Sequence, residues 1–199
     1  MENEETILRY WFGTAADDLA IAEECAEKWW KKNPDVDREI RERFAATLDA
    51  SSMGAHDDWN KTPGGCLANI ILADQFSRNM YRDTPQTYAF DKLALAWCKG
   101  GLAAGFDQQL RPIQRVFFYM PLEHSEVIDD QQECVELFSK LSGSVAPEQR
   151  KLFDGYVDYA ARHRDIVQRF GRFPHRNAIL GRESTEDEVA FLQQPGSSF

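Results

Sequence analysis

Residues 148–170 read EQRKLFDGYVDYAARHRDIVQRF. Within them Leu152, Tyr156, Tyr159, Ile166 and Phe170 recur at spacings of four, three, seven and four, which places them on one face of an α-helix. His163 falls inside that stripe. The helical period continues outward in both directions. Residues 123–142, beyond the Ser142-Gly143-Ser144 loop, carry Ile128, Val135 and Phe138 on one side, and residues 65–78 carry Leu67, Ile70 and Ile71. Asn33-Pro34 is a helix start, a capping side chain followed by proline at the first helical position; Val36, Ile40, Phe44 and Leu48 then repeat every four residues. Shorter helices are expected over 3–12, 16–31, 86–99 (ended by Gly100-Gly101) and 113–120 (stopped by Pro121), with a brief turn at 107–109. Thr185 and Glu188 form a capping box that opens a last helix to about Leu192. Strand-like alternation is almost absent. The expectation is an all-α single domain of nine or ten helices with short connections, either a bundle or stacked antiparallel hairpins.

Composition narrows the function classes. The 199 residues carry 23 Lys and Arg against 33 Asp and Glu, a formal charge of −10, which disfavours nucleic acid as a partner. At 43% hydrophobic and 12% aromatic the chain can build a sizeable core. No apolar run approaches membrane-spanning length, and the acidic start MENEETILRYWF does not resemble a signal peptide, so a cytoplasmic protein is expected. Cys25, Cys66, Cys98 and Cys134 are scattered, without CxxC or a zinc spacing, and read as reduced, buried thiols. Neither GxGxxG nor GxxxxGK[ST] occurs, and no HExxH or Glu-x-x-His pair is found near His124; neither a cofactor nor a metal is expected.

Three helices place polar groups where the period calls for apolar ones. Asp74 and Arg78 continue the apolar face of 65–78 at salt-bridge spacing. His124 and Gln131 join the stripe of 123–142, and His163 joins that of 148–170. A buried charge is costly unless paired, so such breaks mark either internal pairs or a shared site. Pro121-Leu122-Glu123-His124-Ser125-Glu126, read as a helix start, could supply a general base. From Arg162 to Arg182 lie six arginines, no lysine and only Asp165 as an acid, a local +5 in an acidic protein. Arginine without lysine suits planar recognition of carboxylate or phosphate. The same arginines could instead pair with the acidic 123–136 stretch and join helices.

Asp74-Gln75-Phe76-Ser77-Arg78-Asn79-Met80-Tyr81-Arg82, Pro121-Leu122-Glu123-His124-Ser125-Glu126, Phe170-Gly171-Arg172-Phe173-Pro174-His175-Arg176-Asn177 and Leu180-Gly181-Arg182-Glu183-Ser184-Thr185 occur in that order. Together they resemble the bacterial family catalogued as domain of unknown function 924, over essentially the whole chain from Trp11-Phe12 to Phe191-Leu192. The resemblance implies a tetratricopeptide-like all-α fold and brings no biochemical activity with it.

Two functions are therefore open. In the first, an anionic small molecule binds in a central cleft. Arg78, Arg172 and Arg176 clamp its charge, and Arg82, Gln131, His175 and Asn177 complete the binding set. His124 or His163 acts as acid/base, and Asp74 or Glu126 orients the imidazole. The alternative is a tetratricopeptide-like scaffold whose concave face holds an acidic peptide or protein partner.

Overall fold

A computed structural model describes residues 2–198, and the described residues are helical, with no strands. Ten α-helical segments follow one another: α1 Glu4–Phe12, α2 Asp18–Trp30, α3 Pro34–Ser52, α4 Pro63–Ile70, α5 Ser77–Met80, α6 Asp91–Ala103, α7 Pro112–Glu123, α8 Ile128–Ser144, α9 Pro147–Phe170 and α10 Glu186–Leu192. Their starts follow local chemistry. Asn3, Asp17, Asn33, Thr62 and Thr185 accept hydrogen bonds from the first-turn amides of α1, α2, α3, α4 and α10. Proline occupies the first turn of α3, α4, α7 and α9. Gly171, at φ +68°, closes α9 in the left-handed conformation that glycine adopts without steric cost.

Segments α4 and α5 are the two ends of one rod. Between them, Ile71–Phe76 winds as a π-helix, a wider turn that adds a backbone position to the helix. Every residue from Gly65 to Ser77 is buried, so the rod is the axis around which the other helices pack. Phe76 meets Phe44 of α3 at 4.6 Å and Trp11 of α1 at 5.4 Å between ring centroids. Trp29 of α2 meets Phe117 of α7 at 4.6 Å, and its indole N–H donates to the Trp11 carbonyl at 3.0 Å. The hairpin character is clearest at α8 and α9, which only Val145-Ala146 separates. Beyond Gly171 the chain forms a strap, residues 171–185, seated on a small satellite cluster of Ile166, Val167 and Phe173 with Phe170 and Phe191.

Several expected boundaries move. Pro121 does not stop its helix: it lies in the last turn of α7, which continues to Glu123. The segment 121–126 therefore ends one helix instead of starting the next. Ser142-Gly143-Ser144 is the last turn of α8 and not a loop. The helix expected at 86–99 is displaced: Pro85–Tyr88 is a 3-10 turn, and α6 runs from Asp91 through Gly100-Gly101 to Ala103. Local preference makes paired glycines a terminator, but packing overrides it. A Cβ on Gly101 would lie 2.5 Å from Phe118 Cζ, whereas one on Gly100 would meet nothing within 4 Å.

The pair makes an internal control. Gly101→Ala should destabilise the protein by about 1–3 kcal/mol through overpacking. Gly100→Ala should stabilise it by about 0.5–1 kcal/mol through helix propensity and unfolded-state entropy. Urea denaturation of the two variants beside the parent checks both signs.

Candidate functional site

The π-turn carries Asp74 at the centre of the molecule, where its side chain has 0% exposure. An ionised carboxylate there requires compensation. Gln75 Nε2 donates to Oδ2 at 2.6 Å, Arg78 Nη1 lies 3.3 Å from Oδ1, and His124 Nδ1 lies 2.6 Å from Oδ1. Burial by itself would raise the Asp74 pKa; the Arg78 charge, His124 and the Gln75 donor outweigh it and hold the carboxyl well below the usual range. Burial and the Arg78 charge pull the His124 imidazole below its ordinary value, against the attraction of Asp74. Asp74 is thus an anion and His124 a neutral ring whose Nδ1–H donates to it. Nε2 is left as the nitrogen with a lone pair.

Around this dyad lies a cleft of about 640 Å³, within the range of small-molecule sites. Arg78, Glu123, His124, His163, His175 and Arg176 line its polar end, and Trp29, Trp30, Met120, Leu152, Tyr156 and Tyr159 its apolar side. The cleft joins the ends of α2, the α4–α5 rod and α7, the middle of α9, and the strap. Arg78 is held by Asp91 in a bidentate pair at 2.9 and 3.2 Å. His163 lies 6.4 Å from His124 between ring centroids, and its Nδ1–H donates to the Tyr159 carbonyl at 2.9 Å. Burial takes its pKa down to about 2, so it stays neutral. Glu123 is 4% exposed, and its carboxyl Oε1 lies 3.4 Å from His163 Nδ1. Burial first, then the Asp74 charge, raises this carboxyl to about 8 in spite of Arg78. At neutral pH Glu123 is therefore a neutral acid beside a neutral base, the pairing expected where environment drives two titratable neighbours apart.

Of the residues named from sequence, Asp74, Arg78, His124, His163 and Arg176 come together here. His175 joins them in the wall, where burial and the Arg176 charge lower its pKa to about 4. Arg82 stands at the rim, its Nε donating to Asp37 at 2.6 Å. Four others go elsewhere. Glu126 orients no imidazole: it accepts the Phe173 amide at 2.8 Å and forms a bidentate pair with Arg182 at 2.7 and 2.9 Å. Arg172 pairs with Glu188 at 2.7 Å. Gln131 Nε2 donates to the carbonyls of Leu122, Glu123 and Ser125, which fixes the end of α7, and Asn177 donates to Ser184. These four anchor the site's elements from outside the cleft. Glu123, Asp91, Trp30 and Tyr156 were missed. Glu123 stood in a quoted motif, but a helix start at 123 gave no reason to prefer it to Glu126.

Among the described residues no group of three or more His, Cys, Asp or Glu side chains is arranged to hold a metal, and no helix is long and apolar enough to cross a membrane. The four cysteines are free and buried, and burial raises the Cys66 thiol to about 12.

Residues 7–196 match the family model described as bacterial protein of unknown function (DUF924). A solved structure of a protein of unknown function from Agrobacterium tumefaciens is similar over 96% of both chains, with 34% identity and a TM-score of 0.80. No curated protein matches the chain.

Glu123 should leave a signature in stability. Its native pKa is raised from 4.5, so above 4.5 the native state holds a proton that the unfolded chain has released; that contribution is lost as pH rises through 8. His124, His163 and His175 have lowered native values and act in the opposite sense through the range around their ordinary 6.5. The Glu123 part is therefore read as a difference between two proteins. Between pH 6.5 and 8 the parent should lose up to about 2 kcal/mol relative to Glu123→Gln, in which the histidine contribution remains. Denaturant melts of both proteins at the two pH values measure it.

Proposed function

The chain belongs to the DUF924 family, and we propose that it is an acid/base catalyst acting on an anionic small molecule bound in the central cleft. The observation that carries this reading is the Asp74–His124 pair at 2.6 Å, buried at one end of a hollow of small-molecule size. Asp74 fixes the imidazole tautomer and stabilises the imidazolium formed when Nε2 takes a proton. Glu123, next in the chain and neutral, is placed to donate a proton to the ligand oxygen on which charge develops. The Glu123 carboxylate and the imidazolium then return to their starting states by the reverse transfers or through solvent. The reaction is read as proton transfer to and from ligand or water, the chemistry that His124 and Glu123 supply.

Location supports this reading. π-Turns inside α-helices occur frequently at functional sites, and this one presents Asp74. The alternative, a scaffold for an acidic peptide, is less well supported, because the titratable groups converge within a hollow instead of lining an extended concave surface. The four reduced thiols favour a cytoplasmic setting.

Incubation in D2O with a panel of small carboxylate and phosphate metabolites, followed by proton NMR, tests the proposal. We expect deuterium incorporation or hydrolysis with at least one compound, reduced by about 10²–10⁴-fold in His124→Gln and clearly reduced in Asp74→Asn. Lys61→Ala, exposed and outside the cleft lining, should turn over near the parental rate. Turnover unaffected in a folded His124→Gln protein would overturn the assignment.

A further inference from the structure

Arg176 is 6% exposed and lines the cleft. Its guanidinium is clamped between two aromatic rings, 4.7 Å from the Tyr88 centroid and 4.4 Å from that of Phe173. Its nearest acid is Asp91 at 3.5 Å, but Asp91 is already engaged in the bidentate pair with Arg78. Both hydrogen bonds of Arg176, to Asp91 and to the His124 carbonyl at 3.1 Å, use Nη1. Nε is buried with no hydrogen-bond partner. Arg176 is therefore a buried cation without a counter-ion of its own and with a donor unsatisfied, an arrangement costly in the empty protein.

Another part of the cleft lining has a different chemistry. Trp30, 49% exposed, stands near Tyr156, with 6.2 Å between ring centroids, and Leu152 and Tyr159 continue that wall along α9. Gly155 lies in the same wall, and a Cβ there would meet nothing within 4 Å. A glycine in mid-helix costs stability, and this one leaves the apolar side open.

We infer that the ligand is an amphipathic monocarboxylate, with its carboxylate on the Arg176 guanidinium and a flat apolar body against Trp30, Leu152, Gly155 and Tyr156. This rests on the acid/base reading and narrows its substrate class. One carboxylate matches one guanidinium edge. A phosphate dianion calls for a second cation, and Arg78, Arg82, Lys31 and Lys32, the other cations of the lining, are paired with Asp91, Asp37, Glu27 and Asp83. The placement also sets the ligand's carbon chain beside His124 and Glu123, because His124 supplies the carbonyl that Arg176 grips.

Isothermal titration calorimetry with 3-phenylpropionate and 3-(indol-3-yl)propionate, their primary amides and inorganic phosphate tests the inference. Each acid should bind at least about tenfold more tightly than its amide, and more tightly than phosphate. Arg176→Gln should abolish the preference for acid over amide. Arg176 also helps seat the strap, so Gly155→Leu, whose Cβ meets nothing within 4 Å and whose side chain adds bulk to the apolar lining, is measured in parallel. It should weaken the indole acid by about tenfold or more. Equal binding of acid and amide, tighter binding of phosphate, absence of binding by either acid, or an unaltered indole affinity in Gly155→Leu would each overturn the inference. The acid/base reading fails separately. Acid preference with turnover indifferent to His124→Gln removes that reading and keeps the carboxylate subsite, and His124-dependent turnover without acid preference does the reverse.

Discussion

A single carboxylate with no access to water governs the arrangement of the molecule. Asp74 sits within a rod buried on every side, and an ion there is tolerated only if the surroundings supply what water would have supplied. Gln75 and Arg78 come from the same rod, but His124, equally close to the carboxylate as Gln75, comes from the far end of another helix. The end of α7 must therefore lie against the π-turn. Gln131 of α8 gathers three carbonyls at that end, and Arg176 of the strap takes the His124 carbonyl, so one ionised group ties together four regions distant in sequence.

Much of this was legible beforehand, for a physical reason. A charged or titratable residue on an apolar helical face is expensive unless partnered, so Asp74, Arg78, His124 and His163 could be singled out one helix at a time. Their convergence follows because each supplies what another lacks. Errors arose where local preference was trusted at a boundary. Proline lacks an amide hydrogen and usually ends a helix, but in the last turn of α7 the loss of one bond is absorbed. The extra turn makes Glu123 the inward carboxyl and leaves Glu126 to the strap. Gly100-Gly101 resembled a terminator until the Phe118 ring was found against Gly101. Asp91, Trp30 and Tyr156 left no local signal, because their importance comes from neighbours in other helices.

The arginine-rich stretch shows how one composition serves two ends. Arg182 pairs with Glu126, inside the acidic 123–136 stretch where such pairing is expected, whereas Arg172 pairs with Glu188 outside it; both fasten the strap. Arg176, four residues from one and six from the other, has no acid to itself and is pinned between rings instead. Composition makes these cations equivalent, and only the surrounding geometry separates fasteners from a binding group. The cleft that results is polar where proton-handling groups meet and apolar where α2 faces α9, a division that orients a ligand before any chemistry begins.

The wide turn at Ile71–Phe76 has a consequence for how such a chain changes over generations. One residue of an α-helix corresponds to a rotation of about 100° about its axis. Everything after the turn, including Arg78, Asn79 and Arg82, owes its direction to that surplus backbone unit. A deletion there would leave the upstream half seated among its apolar neighbours while turning the downstream cations toward other surroundings. A shortened codon count there would be felt at once across the whole interior.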